Sequence, residues 1–274
     1  MLSLSMIVRN EEARLAACLA SVKGFADEMV LVDTGSVDAT VAIAEQAGAR
    51  VERMEWPGDF APARNHALQY LKGDWVLVLD ADEQLRPEVI PSLKALMAQP
   101  DVLVINLLRY EIGAAMAPYS SVSRLFRRHP SIQWSRPYHS MIDESVQALT
   151  TAEPQWRIAD CSEPAILHDG YRPELLAGSD KADRLREAME NDLKQHPGDP
   201  YACAKLGGLL ISEGRESEAI PLLRQGLEGA TAQSSERYEL LLHLGLALSK
   251  SNPDEAMAFY RQALDIPLDT RITL

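Results

Sequence analysis

From residue 1 to about residue 105, short apolar runs alternate with stretches that mix apolar and polar positions. The runs Leu4–Val8, Met29–Val32, Arg50–Met54, Trp75–Leu79 and Val102–Leu107 are short and rich in β-branched residues, which predicts strands. Between them, near Glu11–Val22, Val37–Ala47, Ala61–Leu71 and Glu88–Ala98, the spacing predicts helices. This β-α-β-α order implies a mostly parallel sheet with helices on both faces. Open sheets of that kind bind ligands beyond the carboxyl ends of their strands. Three polar clusters fall at that edge: Arg9-Asn10-Glu11-Glu12, Asp33-Thr34-Gly35-Ser36 and Asp80-Ala81-Asp82.

From about residue 108 to 170 the alternation is lost. Ser123–Arg128 and Ile132–Trp134, separated by His129-Pro130-Ser131, read as two short strands around a turn, an antiparallel addition to the sheet. After Tyr171 the chain turns helical. Leu206-Gly207, Gly214-Arg215, Glu218-Ala219 and Leu223 are echoed by Leu244-Gly245, Pro253, Glu255-Ala256, Tyr260 and Ala263. The offsets resemble the tetratricopeptide repeat, although Cys203 and Leu210 stand where that motif carries signature aromatics. Two domains are expected, 1–172 with the sheet and 173–274 all-helical. The repeats imply a protein partner or a dimer contact.

Composition narrows the function classes. A hydrophobic fraction of 46% and a charged fraction of 24% are those of a folded globular chain. A net charge of −13 argues against nucleic acid as a partner, since phosphate binding needs clustered Lys and Arg. Cys18, Cys161 and Cys203 are scattered and outside metal-ligand spacing, as expected of reduced thiols in a cytoplasmic protein. The first residues lack a signal-peptide pattern, and no run approaches the ~18 apolar residues of a membrane span. The expected location is cytoplasmic, peripheral at most at the inner membrane face.

The strand predicted at Trp75–Leu79 stops at Asp80-Ala81-Asp82-Glu83. Two acids separated by one residue point the same way along extended backbone. Asp80 and Asp82 can therefore share one hard cation whose other positions go to water and phosphate oxygens. An exposed acidic turn that only ends the strand is the alternative for an isolated Asp-x-Asp.

Four stretches in order, Ser5–Glu12, Val30–Asp38, Asp59–Asn65 and Gly73–Glu83, together resemble the family 2 glycosyltransferases of GT-A fold. The resemblance covers residues 1 to about 110 and extends more weakly through His168. It implies an α/β, GT-A Rossmann-like sheet, mostly parallel with an antiparallel addition, and a nucleotide-sugar donor, a UDP-sugar, across the strand ends. Asp33 would accept a hydrogen bond from uracil. Glu11 would reach the ribose or base rim, with Asn10 in the same donor-binding cluster. Arg64 would approach the diphosphate or hold Asp80, and Asn65 would tie its helix to the loop after the first strand. The plain alternatives are a turn residue before Gly35 for Asp33, a helix-start acid for Glu11 and a surface ion pair for Arg64.

By the same resemblance Asp82 is the first metal ligand, Asp80 its nucleotide-facing partner, and His168 the third ligand, with His139 next. Mn²⁺ and Mg²⁺ both suit oxygen ligation, and a histidine tilts the choice toward Mn²⁺. Relatives carry His-Glu near the acceptor, whereas Ser140 follows His139 here, so the catalytic base falls to Glu144, Asp143 or Glu83. The implied reaction is metal-dependent, inverting sugar transfer to an envelope glycan, lipopolysaccharide-core, lipid-linked or peptide acceptor. Two rivals stand beside it. Haloacid-dehalogenase-like phosphatases share Asp-x-Asp but want Thr or Val soon after it, where this chain has Glu83-Gln84-Leu85. A non-catalytic adaptor would bind the nucleotide-sugar and act through its repeats.

Overall fold

The computed structural model describes residues 1–113, 119–137, 140–169 and 181–267. The chain divides into two compact units, Met1–Gly178 and Ser179–Leu274. In the first, eight strands form one mixed sheet: β1 (Leu2–Val8), β2 (Glu28–Asp33), β3 (Arg50–Arg53), β4 (Trp75–Val78), β5 (Glu83–Leu85), β6 (Val102–Glu111), β7 (Tyr119–Arg127) and β8 (Arg157–His168), in the order β3-β2-β1-β4-β7-β6-β8-β5. The first four are parallel, β7 runs antiparallel to both β4 and β6, β6 and β8 are parallel, and β5 is antiparallel to β8.

The pattern of the strands explains the layers. Trp75, Leu77 and Leu79 join one hydrophobic cluster with Leu4, Leu31 and Ile105, while Val76 and Val78 join another with Val30, Leu103 and Phe126. The two-residue period thus feeds two cores, one on each face. Around them pack α1 (Leu15–Ser21), α2 (Thr40–Gln46), α3 (Phe60–Leu68), α4 (Ile90–Met97) and α5 (Asp143–Ala152). Val8 lies in register with Asp33, so the loops after β1 and β2 leave the sheet at one edge, with the turn after β4.

The fold departs from expectation at several points, among them the unforeseen β8 and α5. Ile132 and Trp134 form no strand; β7 takes β4 and β6 as partners, and the two apolar side chains instead bury beside Phe126. Helices α1 and α2 begin at Leu15 and Thr40, later than expected, because the preceding residues are spent on bonds between two loops. Glu83–Leu85 is a strand, pinned by Leu85, only 2% exposed, and by pairing with Ile166–His168.

The second unit holds α6 (Lys181–Gln195), α7 (Pro200–Ser212), α8 (Glu216–Gly229), α9 (Ser235–Leu248) and α10 (Pro253–Leu264). Asp199, Ser234 and Asn252 cap α7, α9 and α10 with side-chain oxygens. Small residues set the helix spacing: a Cβ on Gly207 would strike Leu223, one on Gly226 would lie 2.5 Å from Cys203 Cβ, and one on Gly245 would strike the Tyr260 ring. Among the described residues no helix is long and apolar enough to cross a membrane. All three cysteines are buried and unpaired.

Candidate active site

Where β4 ends, the Asp80–Glu83 turn is closed twice. The Glu83 N–H donates to the Asp80 carbonyl at 3.0 Å, and the Asp80 N–H donates to Glu83 Oε2 at 2.9 Å. Two guanidinium groups grip the Asp80 carboxylate: Arg64 Nη2 donates to Oδ1 at 2.7 Å and Arg124 Nη2 to Oδ2 at 3.0 Å. Burial alone would raise the Asp80 pKa; Arg124 and Arg64 outweigh it and hold the carboxyl far below the usual range. Arg64 is itself only 6% exposed and stacks on Trp134, 4.8 Å from the ring centroid. Its Nε and Nη1 have no hydrogen-bond partner among the described residues. Both acids expected to share a metal are thus faced by cations: Asp80 by Arg64 and Arg124, and Asp82 by Arg14, whose Nη1 lies 3.6 Å from Oδ2.

Asp82 Oδ2 lies 3.4 Å from His168 Nε2. The other ring nitrogen, Nδ1, pairs with Glu111. Glu111 also accepts from Arg109 Nε at 2.8 Å and from the Ser120 hydroxyl at 2.6 Å. Arg109 Nη1 in turn donates to Glu83 Oε1 at 2.9 Å. Burial would lower the His168 pKa, but the bonds to Asp82 and Glu111 prevail and raise it to about 9. Burial would raise that of Glu111, and His168, Ser120 and Arg109 bring it down to about 2. Were a divalent cation bound here, Asp82 and a neutral His168 would hold it, with the ring oriented by Glu111, and the imidazole would favour Mn²⁺ over Mg²⁺. Among the described residues no group of three such side chains gathers on one point. His139 lies outside the described residues.

At the neighbouring strand end Asp33 is 4% exposed and accepts from the N–H groups of Gly35 and Ser36, each at 3.2 Å. Gly35 supplies the left-handed backbone of this turn, with φ +105°. Outside it lies a cavity of about 310 Å³ lined by Asp33, Gly35, Ser36, Val41, Arg53, Met54 and Glu55. Asn10 faces the second loop: its N–H donates to Ser36 Oγ at 2.9 Å and its Oδ1 accepts from Val37 N–H at 2.9 Å. The Glu11 carboxylate accepts from Arg14 Nε and Nη2, at 3.1 and 2.8 Å, and burial raises its pKa.

Two further expectations change. Asn65 does not reach the loop after β1; its amide exchanges bonds with the backbone of Trp134, at 2.9 and 2.8 Å, because that segment packs over α3. Glu83 is wholly buried, with both oxygens bonded, so it is a bracket of the turn and not a base able to reach an acceptor. Asp143 accepts from Ser123 Oγ at 3.2 Å, one residue from Arg124. Glu144 has a side chain 55% exposed, beside Arg136 at 2.7 Å.

Sequence reasoning missed Arg124, Arg109, Glu111 and Trp134. The signal was present for two of them: Arg109 and Glu111 follow an apolar run at two-residue spacing, and charged positions continuing a buried strand need partners.

Comparison with known proteins fits this geometry. Over 268 residues the chain is 46% identical to a TPR repeat-containing protein of Synechococcus elongatus, a match taking in 97% of this chain and 66% of that protein. It is 33% identical over 186 residues to an uncharacterized glycosyltransferase of Rickettsia bellii (64% of this chain, 62% of the relative) and 25% identical over 262 residues to the glycosyltransferase SunS of Bacillus subtilis (90% and 58%). The chain thus spans less than two thirds of the length of these relatives. Among solved structures it resembles S. aureus TarS 1–349 in complex with UDP-GlcNAc, with TM-score 0.57, 16% identity and coverage of 96% of this chain and 90% of that one. It also resembles glucosyl-3-phosphoglycerate synthase from Mycobacterium tuberculosis in complex with Mn²⁺, UDP and phosphoglyceric acid, with TM-score 0.50, 17% identity and coverage of 69% and 78%. These likenesses show the GT-A fold. The model for glycosyl transferase family 2 matches residues 3–154, a stretch that holds the Asp33 turn, Arg64 and the Asp80–Glu83 turn, and with more than half of its length so matched the chain belongs to that family.

Proposed function

We propose that the chain transfers a sugar from a UDP-sugar to a hydroxyl or similar nucleophile of a glycan, lipid-linked or peptide acceptor, with inversion and with help from Mn²⁺ or Mg²⁺. The observation that carries this reading is the doubly gripped Asp80 beside the Asp82–His168 pair, at the strand edge that also bears the Asp33 cavity. Uracil occupies that cavity, where Asp33 accepts its N–H and the Asn10–Ser36 bonds keep the two loops at fixed separation. Arg64 and Arg124 hold Asp80 rigid at the strand end where the diphosphate lies. Asp82 and His168 hold the divalent cation, which when bound neutralises the charge growing on the departing UDP.

Glu144 is the leading base, because it is exposed while the Asp143 oxygen is shared with Ser123. The UDP and Mn²⁺ bound by the structural neighbours support the donor and metal parts of this reading. A cytoplasmic location would give access to nucleotide-sugars. Thermal shift with a panel of nucleotide-sugars, with and without Mn²⁺, tests the proposal: a UDP-sugar should raise the melting temperature more with metal than without. No stabilisation by any nucleotide-sugar would overturn it. A donor that binds but is neither hydrolysed nor transferred would favour the adaptor.

A further inference from the structure

Five side chains and one backbone amide form a circuit around the Asp80-Ala81-Asp82 turn. Starting at the Asp80 N–H, it runs to the Glu83 carboxylate, to Arg109, to Glu111, to His168 and to Asp82, which is two residues from its origin. The strands supply the spacing. Glu83 on β5 lies opposite His168 on β8, and His168 lies beside Glu111 on β6, so three neighbouring strands present one polar side chain each to the turn. Arg109 is the only cation among the described residues that hydrogen-bonds to both Glu83 and Glu111, and its planar fork makes this possible: Nη1 serves Glu83 while Nε serves Glu111 and, at 3.1 Å, Ser120.

Both carboxylates are deeply buried, Glu83 at 0% and Glu111 at 5% exposure. Neither can be reached by a substrate, so their charge serves the geometry of what they hold. Glu83 fixes the backbone from which Asp80 and Asp82 project, and Glu111 fixes the ring plane of His168. Arg109 couples the two.

We propose that Arg109 is a positioning residue that sets the separation and orientation of Asp82 and His168, and so determines whether they can hold a cation together. This rests on the metal-assisted donor binding proposed above. It assigns to the β6 strand a share in donor binding, although Arg109 touches neither the Asp33 turn nor Asp80. A lysine at this position keeps the charge but is a point donor that cannot span both carboxylates in the fork geometry.

Isothermal titration of the intact chain with UDP, in the absence and presence of Mn²⁺, separates this role from a merely structural one. In Arg109→Lys the gain in UDP affinity brought by Mn²⁺ should fall about tenfold, the scale expected when the support of a metal ligand is loosened. UDP affinity without metal should stay within about twofold, because Asp33 and Arg64 are untouched. Ser120→Ala, which removes the bond to Glu111 and the one accepted from Arg109, should reduce the same gain by about threefold. A wild-type gain retained in full by Arg109→Lys, or by Ser120→Ala should the first variant not fold, overturns the inference. Equal weakening with and without metal overturns it too, since that outcome marks Arg109 as a general brace. A wild-type chain whose UDP affinity ignores Mn²⁺ overturns instead the metal reading, and the inference with it.

Discussion

His168 at the end of β8 and His243 in the middle of α9 are both drawn inside, yet their imidazoles are pushed in opposite directions. Burial lowers both. For His168 two carboxylates, Asp82 and Glu111, overcome that effect. For His243 burial prevails, aided by Lys205, against the weaker pull of Glu239 and of the Ala204 carbonyl to which Nδ1 donates at 3.1 Å. The contrast extends to the two units. Among the described residues the sheet unit buries Asp33, Arg64, Glu83, Glu111 and His168, whereas the helical unit buries one carboxylate, Glu239, neutralised by Lys205 at 2.8 Å. The helical unit spends its special residues on close approach instead, at Gly207, Gly226 and Gly245. Desolvating charge is costly unless it is paired. So many buried charges in one unit, against one buried pair among the described residues of the other, are what the proposed donor site in the first unit would require.

The strongest way to break this comparison is to remove charge from the first unit. Arg124→Met strips one of the two cations from Asp80 and leaves Glu83 short of a neighbour at 3.7 Å. Breaking a buried pair costs about 3–5 kcal/mol, and the lower end applies because the Asp80 side chain is 34% exposed. Urea unfolding should show a loss of about 3 kcal/mol, with donor binding lost as well. A stable, active variant would mean that the charges around Asp80 are incidental.

In the helical unit the corresponding lever is volume. Gly245→Ala places a methyl group against the Tyr260 ring, which must give way at a cost of about 2 kcal/mol. Thermal or urea unfolding should register that loss, while calorimetry should find nucleotide affinity unchanged. Loss of nucleotide binding in a folded Gly245→Ala chain would erase the division of labour between the two units.

How much of this could be read from residue order depended on the range of the interactions. Strand β4 was legible because a strand covered on both faces must be a continuous apolar run, as Trp75–Val78 is, and β2 and the Met6–Val8 end of β1 are nearly so. The Asp33 and Asp80 clusters followed from where those runs end. Strand β8 was hidden, since Arg157–His168 mixes exposed Ser162 and Glu163 with a proline and has no clean period. The brackets around the site were hidden for a different reason. Arg64 and Asp80 are 16 residues apart, Arg124 and Asp80 are 44 apart, and Glu111 and His168 are 57 apart, so each pairing exists only once the sheet order is known. Asn65 shows the limit most directly: its type and position were noticed, but its partner, the backbone of Trp134, is an irregular segment 69 residues away.

A smaller effect sharpens the first unit's side of the comparison by separating base from phosphate. Asp33→Ala removes the acceptor at the cavity edge and the cap on Gly35 and Ser36. Competition binding should show UDP weakened by about tenfold, the worth of one charge-assisted hydrogen bond, and pyrophosphate by no more than about twofold. Equal weakening of the two ligands would reduce Asp33 to a turn residue.

The smallest effect returns to the histidines. A group whose pKa is depressed on folding contributes stability that is present in full above its unfolded value, and that is lost as pH falls through the folded one. For His243 the unfolded value is the ordinary one of about 6.5. The helical unit should therefore weaken progressively below about pH 6.5, as the unfolded imidazole takes up a proton that the folded one resists. Melting followed from pH 8 to pH 5 should show this slope, and His243→Gln, which keeps a side-chain donor in place of the imidazole but cannot titrate, should flatten it. Carboxylates that burial raises, such as Glu11 and Asp143, are common to both chains, so the difference between them isolates the His243 imidazole. If the slope survives in His243→Gln, the interior of α9 is not where the acid sensitivity resides, and the contrast drawn between the two buried histidines fails.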